Sequence, residues 1–390
     1  MESSKKYFTI VLTGGGTAGH VIPHLALLPL IREKFSKIVY IGSHNGIEKE
    51  IIEKYNRENS GAKGGLVKYY SIDCAKLRRS FDLRNLLIPF KVWGGIRQSK
   101  KILREVKPNV IFSKGGFVAY PVVNAGAKLG IPVVAHESDM TLGLANRLSS
   151  KHCRVICTSF DRTANENNIK NKKDDKKGEW EDKFVYTGSP LREVLFNGIG
   201  VKVERRHGFS QVGVDSSKKT NLLVVGGSLG AVKINNAVRE SLGELTKRFN
   251  IIHICGKDKT VENTEVLKYK SNYIQLEFVD DIQHYFAWAD LVVSRAGSNA
   301  LCELMALQKP TLLIPLSKAQ SRGDQIDNAK EMLVKQVVEV LWEEELTSQT
   351  LIAKLEELHK NRERYIVNIK KMGNVNGTKR IFEVIKKHLT

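Results

Sequence analysis

A short apolar strand that runs straight into a glycine turn and then a helix occurs twice in this chain. FTIVLTGGGTAGH precedes VIPHLALLPLIREKF in the first half, and NLLVVGGSLGA precedes VKINNAVRESLGEL in the second. A strand that is apolar along its whole length needs cover on both faces, which a mostly parallel sheet flanked by helices provides. The rest of the pattern agrees. Strand candidates at 7–13, 37–42, 67–72, 109–112, 132–135 and 154–159 alternate with helix-period segments. The second half repeats this with 221–225, 250–255, 273–279, 291–294 and 311–315. No repeat of solenoid length is present. At 390 residues the chain exceeds what one core serves. The expected fold is α/β, two Rossmann-like domains facing a cleft, with ligands outside the carboxyl ends of the strands. The expected domains are 1–185 and 186–372, with a last helix over 373–390 packing back on the first. The polar, charged segment 161–183, nearly devoid of aliphatics, reads as a mobile insertion or linker.

Composition narrows the functional classes. The 62 Lys and Arg outnumber the 42 Asp and Glu by 20, which asks for an acidic partner. Nucleic acid is not the expected one, because no aromatic–basic RNA motif, zinc finger or basic recognition helix is present. The five cysteines (Cys74, Cys153, Cys157, Cys255, Cys302) form no CxxC pair and read as reduced cytosolic thiols. No run approaches the roughly 18 apolar residues of a membrane span. Lys5 and Lys6 precede an apolar stretch, but GGG follows at once with no cleavage site. That segment is expected to be a strand and not a signal peptide, so the protein is expected to stay inside the cell.

Gly14, Gly16 and Gly19 spell GxGxxG, yet the second strand ends in Gly42 and Ser43, where a nicotinamide site wants a carboxylate for the ribose. No Gly-Lys-Ser/Thr follows, which excludes a Walker loop. What survives is a turn with bare amides at a helix start, suited to a phosphate or a closely approaching sugar, with His20 facing the ligand. Gly226–Ala231 offers the same amides and the Ser228 hydroxyl. In SRAGSNALCELMALQKPTLLIPL, Gly297 and Ser298 open a helix that carries Glu303 near the strand ends. By pattern alone Glu303 is either a solvated-face residue or a ribose ligand. Gln325 and Asn328 mark another helix start, where ordinary capping would serve equally.

Several motifs in order give a resemblance over essentially the whole chain. GGGTAGHVIP, SKGGFVAYPVVNAGAKLGIPVVAHESDMTLGLANRL, TGSPLR, GGSLGA, EFVDDI and RAGSNALCELMALQKPTLLIPL…DQIDNA together resemble the MurG-type glycosyltransferases. Those enzymes attach N-acetylglucosamine (GlcNAc) from a UDP donor to the lipid-linked muramyl-pentapeptide of peptidoglycan synthesis. The resemblance implies a GT-B architecture, the donor in the second domain and the lipid acceptor at the first. It implies Thr17, Ala18 and Gly19 beside the donor phosphates and acceptor, with Arg192 and Ser228 on the pyrophosphate or sugar side of the donor. It further implies Val279 at the uracil through its backbone, Ser298, Asn299, Ala300, Leu301 and Glu303 along the donor with Glu303 on the ribose, and Gln325 on the GlcNAc. The chain departs from the family pattern at Ala18, Leu229, Asp324 and the Ser138-Asp139 pair that follows His136-Glu137.

Inverting transfer to a sugar hydroxyl needs a base for the attacking oxygen and stabilisation of the leaving UDP. His20, Glu137 and Asp139 are the candidate bases. No DxD motif is present, so no protein-bound metal or other cofactor is expected. The stretch 77–101 interleaves Arg78, Arg79 and Lys91 with Phe81, Phe90 and Trp93. This suits either an ordinary helix packing its apolar side on the sheet or a segment lying on an anionic bilayer, and a lipid-borne acceptor favours the membrane. The expected location is peripheral, on the cytoplasmic face of the membrane. The rival readings are a diacylglycerol glycosyltransferase or a UDP-GlcNAc epimerase of similar architecture, and, from another class, a basic nucleic-acid-binding protein.

Overall fold

The computed structural model describes residues 8–61, 65–75, 87–174, 182–207, 219–227 and 230–389. The chain forms two compact units, residues 1–192 with 376–390, and residues 193–375. The first holds seven parallel strands: β1 (Phe8–Thr13), β2 (Phe35–Ser43), β3 (Lys68–Ile72), β4 (Val110–Ser113), β5 (Val133–Glu137), β6 (Val155–Thr158) and β7 (Phe184–Tyr186). Their order is β3-β2-β1-β4-β5-β6-β7. Val11 pairs with Val39 on one side and Ile111 on the other, so β1 is central and the strand order reverses at the β1/β4 junction. Ligands of such sheets collect at that junction, outside the carboxyl ends.

Apolar side chains along β1 supply both faces of the sheet. Ile10 and Leu12 join Leu27, Phe112, Ile381 and Ile385 in one core. Val11 joins Val39, Leu103, Ile111 and Val122 in the other. The last helix, Thr378–Lys387, therefore belongs to the first unit, and the Thr378 hydroxyl both accepts from the Leu191 amide and donates to its carbonyl.

The second unit repeats the plan with β8 (Thr220–Val225), β9 (Phe249–Ile254), β10 (Tyr273–Leu276), β11 (Leu291–Ser294), β12 (Thr311–Leu313) and β13 (Glu339–Val340). All are parallel, in the order β10-β9-β8-β11-β12-β13. Leu222, Val224, Ile234, Leu291, Leu351 and Leu355 lie in its core.

Two expectations are corrected. Within 161–183, residues Asp161–Asp174 form a helix and not a loose linker, while 175–181 lie outside the described residues. The helix lacks an apolar stripe but is tied down by polar bonds. Asn168 exchanges two hydrogen bonds with Phe184 of β7 (2.8 and 2.9 Å), and the Thr163 hydroxyl donates to the Met140 carbonyl (2.8 Å). Second, His20 closes a 3₁₀ turn, Ala18–His20, and the helix proper starts at Ile22, where Pro23 fits the first turn.

Candidate active site

The turn after β1 is fixed from below. The Tyr40 hydroxyl donates to the Gly14 carbonyl (2.7 Å), and Gly16 takes φ +84°, a conformation open to glycine. Thr17, Ala18, Gly19 and His20 follow as one turn, with Thr17 exposed and the other three half-buried. The Thr17 hydroxyl lies 3.0 Å from His20 Nδ1 and orients the ring. One turn on, His24 is fully buried, edge-on to Tyr40 and Phe112. Burial, reinforced by the charge of Lys114 and by His20, pushes its pKa down to about 3, so it stays neutral beneath the turn.

At the ends of β4 and β5 lies a polar cluster that the sequence motifs only bracketed. Lys114 is buried, its ammonium 2.7 Å from His136 Nδ1 and 2.5 Å from Ser138 Oγ. His136 Nε2 donates to the Gly188 carbonyl (3.0 Å), which leaves Nδ1 as the acceptor. Burial and then the Lys114 charge hold His136 well below the ordinary histidine range. Glu137 accepts from the amides of Ser138 (2.8 Å), Asp139 (3.0 Å) and Gly143 (2.9 Å) and from Asn146 Nδ2 (2.9 Å). Burial and the neighbouring Asp139 raise its pKa against these donors. With two donors on each oxygen, this carboxyl organises the loop that presents half-buried Asp139. Arg192 ends the unit, half-buried, and its Nε has no protein acceptor.

In the second unit the turn after β8 carries Gly226, Gly227 and Gly230, while Ser228 lies outside the described residues. After β11 comes helix Ser298–Ala306. Leu301, Cys302, Leu304 and Met305 are buried, whereas Asn299, Ala300 and Glu303 are half-exposed. Residues three and four apart share a helix face, so these three form one strip. Ser298 is buried at the helix start. Gln325 opens helix Asp324–Val334, its carbonyl accepting from the Leu316 amide (3.0 Å) and its NH₂ left as a donor. Asn328 donates to the Ala296 carbonyl (3.1 Å) and joins the two loops. Val279 is half-buried in the loop after β10.

Sequence reasoning missed the clamp behind this strip. Arg295 donates to the Ile314 carbonyl (3.0 Å) and pairs with Glu343, whose other oxygen accepts from the Ser317 amide (3.3 Å). Burial alone would raise the Glu343 pKa, but the Arg295 guanidinium overcomes it and holds the carboxyl low. An arginine directly after an apolar strand was the available signal.

A separate surface lies on helix Ile88–Val106. Gly95, Ser99, Leu103 and Val106 are buried against the sheet, while Phe90 and Trp93 are 73% and 60% exposed. Arg97 stacks over the Trp93 ring at 4.9 Å. Of the other residues named for this surface, Lys91 lies on the helix, and Arg78, Arg79 and Phe81 lie outside the described residues. Among the described residues no group of three or more His, Cys, Asp or Glu is placed to hold a metal. None of the described helices is long and apolar enough to cross a membrane.

Residues 10–158 match the N-terminal domain of glycosyltransferase family 28, and residues 221–387 match its C-terminal domain. The chain belongs to glycosyltransferase family 28. A Clostridium tetani relative is 46% identical over 385 residues, 98% of each chain, and is named UDP-N-acetylglucosamine–N-acetylmuramyl-(pentapeptide) pyrophosphoryl-undecaprenol N-acetylglucosamine transferase. A Clostridium botulinum relative of the same name is 46% identical over 97% of this chain and 99% of its own. The family 28 fold is also shared with the crystal structure of Acinetobacter baumannii MurG, with a TM-score of 0.72 at 22% identity over 97% and 99% of the two chains. A UDP-GlcNAc 2-epimerase from Neisseria meningitidis has a TM-score of 0.64 at 15% identity, over 98% and 99%. The two-unit architecture is thus common to transferases and epimerases, while full-length identity is with transferases.

Proposed function

We propose that this family 28 enzyme transfers GlcNAc from UDP-GlcNAc, with inversion, to the C4 hydroxyl of undecaprenyl-pyrophosphoryl muramyl-pentapeptide in peptidoglycan synthesis. The end-to-end 46% identity with transferases named for that reaction carries the reading. The second unit takes the donor. Glu303 accepts from the ribose hydroxyls, Asn299 and Ala300 line the same strip, and the free NH₂ of Gln325 donates to the sugar. Val279 meets the uracil, and the amides of the second glycine turn with Ser228 and Arg192 neutralise the pyrophosphate as it leaves. The unpartnered Arg192 Nε suits that task. In the first unit, Thr17, Ala18 and Gly19 face the acceptor and His20 is the base. Its ring is already oriented by Thr17, whereas all the acceptor positions of Glu137 serve its loop.

The enzyme meets its acceptor as a peripheral protein on the cytoplasmic membrane face. The first unit carries 37 Lys and Arg against 19 Asp and Glu, the second 25 against 23, so nearly all the surplus charge belongs to the unit that carries Phe90 and Trp93. Each basic residue near an anionic surface contributes about 1 kcal/mol. Replacing Arg78, Arg79 and Lys91 with serine should therefore weaken binding to anionic vesicles by about 100-fold, leave UDP affinity unchanged, and slow turnover of lipid-borne acceptor. Co-sedimentation equal to wild type would remove this segment from the membrane surface.

Radiolabelled UDP-GlcNAc offered with lipid-linked muramyl-pentapeptide or with diacylglycerol tests the reaction. Product from the first alone is expected, and product from diacylglycerol alone would overturn the assignment. Glu303→Ala should cost about 1.5–3 kcal/mol of UDP binding, the worth of a hydrogen bond to a charged group. Calorimetry on the folded variant measures it, and unchanged affinity would remove Glu303 from the donor site.

A further inference from the structure

Glu48 lies in the first turn of helix Ile47–Glu58, yet its side chain is wholly buried. It points at the first glycine turn. One carboxylate oxygen accepts from the Gly16 amide (3.2 Å), and the other accepts from the Ser43 amide (2.9 Å) and the Ser43 hydroxyl. The glycines around it make the space. A Cβ at Gly15 would stand 2.7 Å from the carboxyl carbon, and one at Gly46 would collide with the same group. Tyr69 braces the far side, donating to the Ser43 carbonyl (2.7 Å).

In dinucleotide folds the amides of this turn receive a ligand phosphate. Here an internal carboxylate already receives one of them. We infer that Glu48 is a resident anion in the phosphate seat of the first glycine turn, closing it to nucleotide and positioning the Thr17–His20 turn. Gly16 directly precedes Thr17, whose hydroxyl orients His20, so the carboxylate reaches the imidazole through two hydrogen bonds joined by the Gly16–Thr17 peptide. A second anion at Gly16 would have to displace or confront a buried negative charge. The two glycine turns thus part company. The first is locked to hold a side chain, and the second is left to the donor. Glu48 is a positioning residue, and its effect on turnover rests on the proposed role of His20.

The test combines glycine-selective amide NMR of the whole enzyme with kinetics of Glu48→Gln, which keeps the volume but removes the charge and one acceptor. In wild type, the Gly16 amide should be protected from exchange and should not move when UDP or inorganic pyrophosphate is added. In Glu48→Gln, the Gly16 resonance should move, and kcat should fall by about 10²-fold, as for a misplaced catalytic group. The KM for UDP-GlcNAc and UDP affinity should remain within about twofold of wild type, a split that general loosening of the fold would not give. A freely exchanging Gly16 amide, a Gly16 shift on adding UDP, or a folded variant with wild-type kcat would each overturn the inference. If the variant fails to fold, the two wild-type NMR measurements still decide. Failure of wild type to glycosylate the lipid acceptor would sink the functional reading and leave the Gly16 result standing.

Discussion

Replacing His20 with alanine is expected to lower GlcNAc transfer by about 10²–10⁴-fold, the range for loss of a positioned general base. The imidazole follows a glycine turn held by Tyr40 and Glu48 and is oriented by Thr17, so its geometry is set before substrate arrives. UDP affinity should not change, because apart from Arg192 the proposed donor-side residues belong to the second unit and none of them depends on the imidazole. The pH profile carries the sign. A base must be unprotonated to act, so wild-type kcat/KM should fall on the acid side as the imidazole gains its proton, and the variant should lack that limb. Neighbouring His24 will not counterfeit it, since burial keeps that ring neutral down to about pH 3. Steady-state kinetics across pH with lipid-linked acceptor make the measurement. A variant within a few-fold of wild type would pass the role to Asp139, on the loop that Glu137 anchors.

The sequence made the fold legible because the strands are buried on both faces. Ile10, Val11 and Leu12 read as one apolar run and are each fully buried. The same rule hid β13, whose two residues, Glu339 and Val340, are too short for any periodicity. It also hid the helix over Asp161–Asp174, which is held by Asn168 and Thr163 through hydrogen bonds to distant backbone. At the candidate site, glycine turns and the residues beside them stand out in sequence because backbone geometry restricts their chemistry. Glu48, Lys114, Arg295 and Glu343 do not. Each acts through a partner between 22 and 48 positions away, and a lone charged residue in a mixed sequence announces no such partner.

Glu343→Gln is expected to destabilise the second unit more than any surface charge change. Glu343 is 1% exposed and Arg295 11%, so removing the carboxylate leaves a nearly buried guanidinium without its counter-charge. Breaking such a pair from one side costs about 3–5 kcal/mol, and the residual exposure of Arg295 favours the lower end. At roughly 2–4 °C per kcal/mol for a unit of this size, the melting transition should fall by about 6–12 °C. The pair closes the loops after β11, β12 and β13, which carry helix Ser298–Ala306 and lead to Gln325, so UDP binding should weaken in parallel. The dependence on pH follows from the depressed carboxyl. Stability supplied by a group whose folded pKa lies below its unfolded value is present above the unfolded value and is lost as pH falls through the folded one. The difference between wild type and variant should therefore be full at neutral pH and shrink in acid. Pairing Glu343→Leu with Arg295→Met should recover most of the loss, since an apolar pair leaves no charge stranded. A double variant no more stable than Glu343→Gln would show that the hydrogen bonds to Ile314 and Ser317, and not the ion pair, hold these loops together.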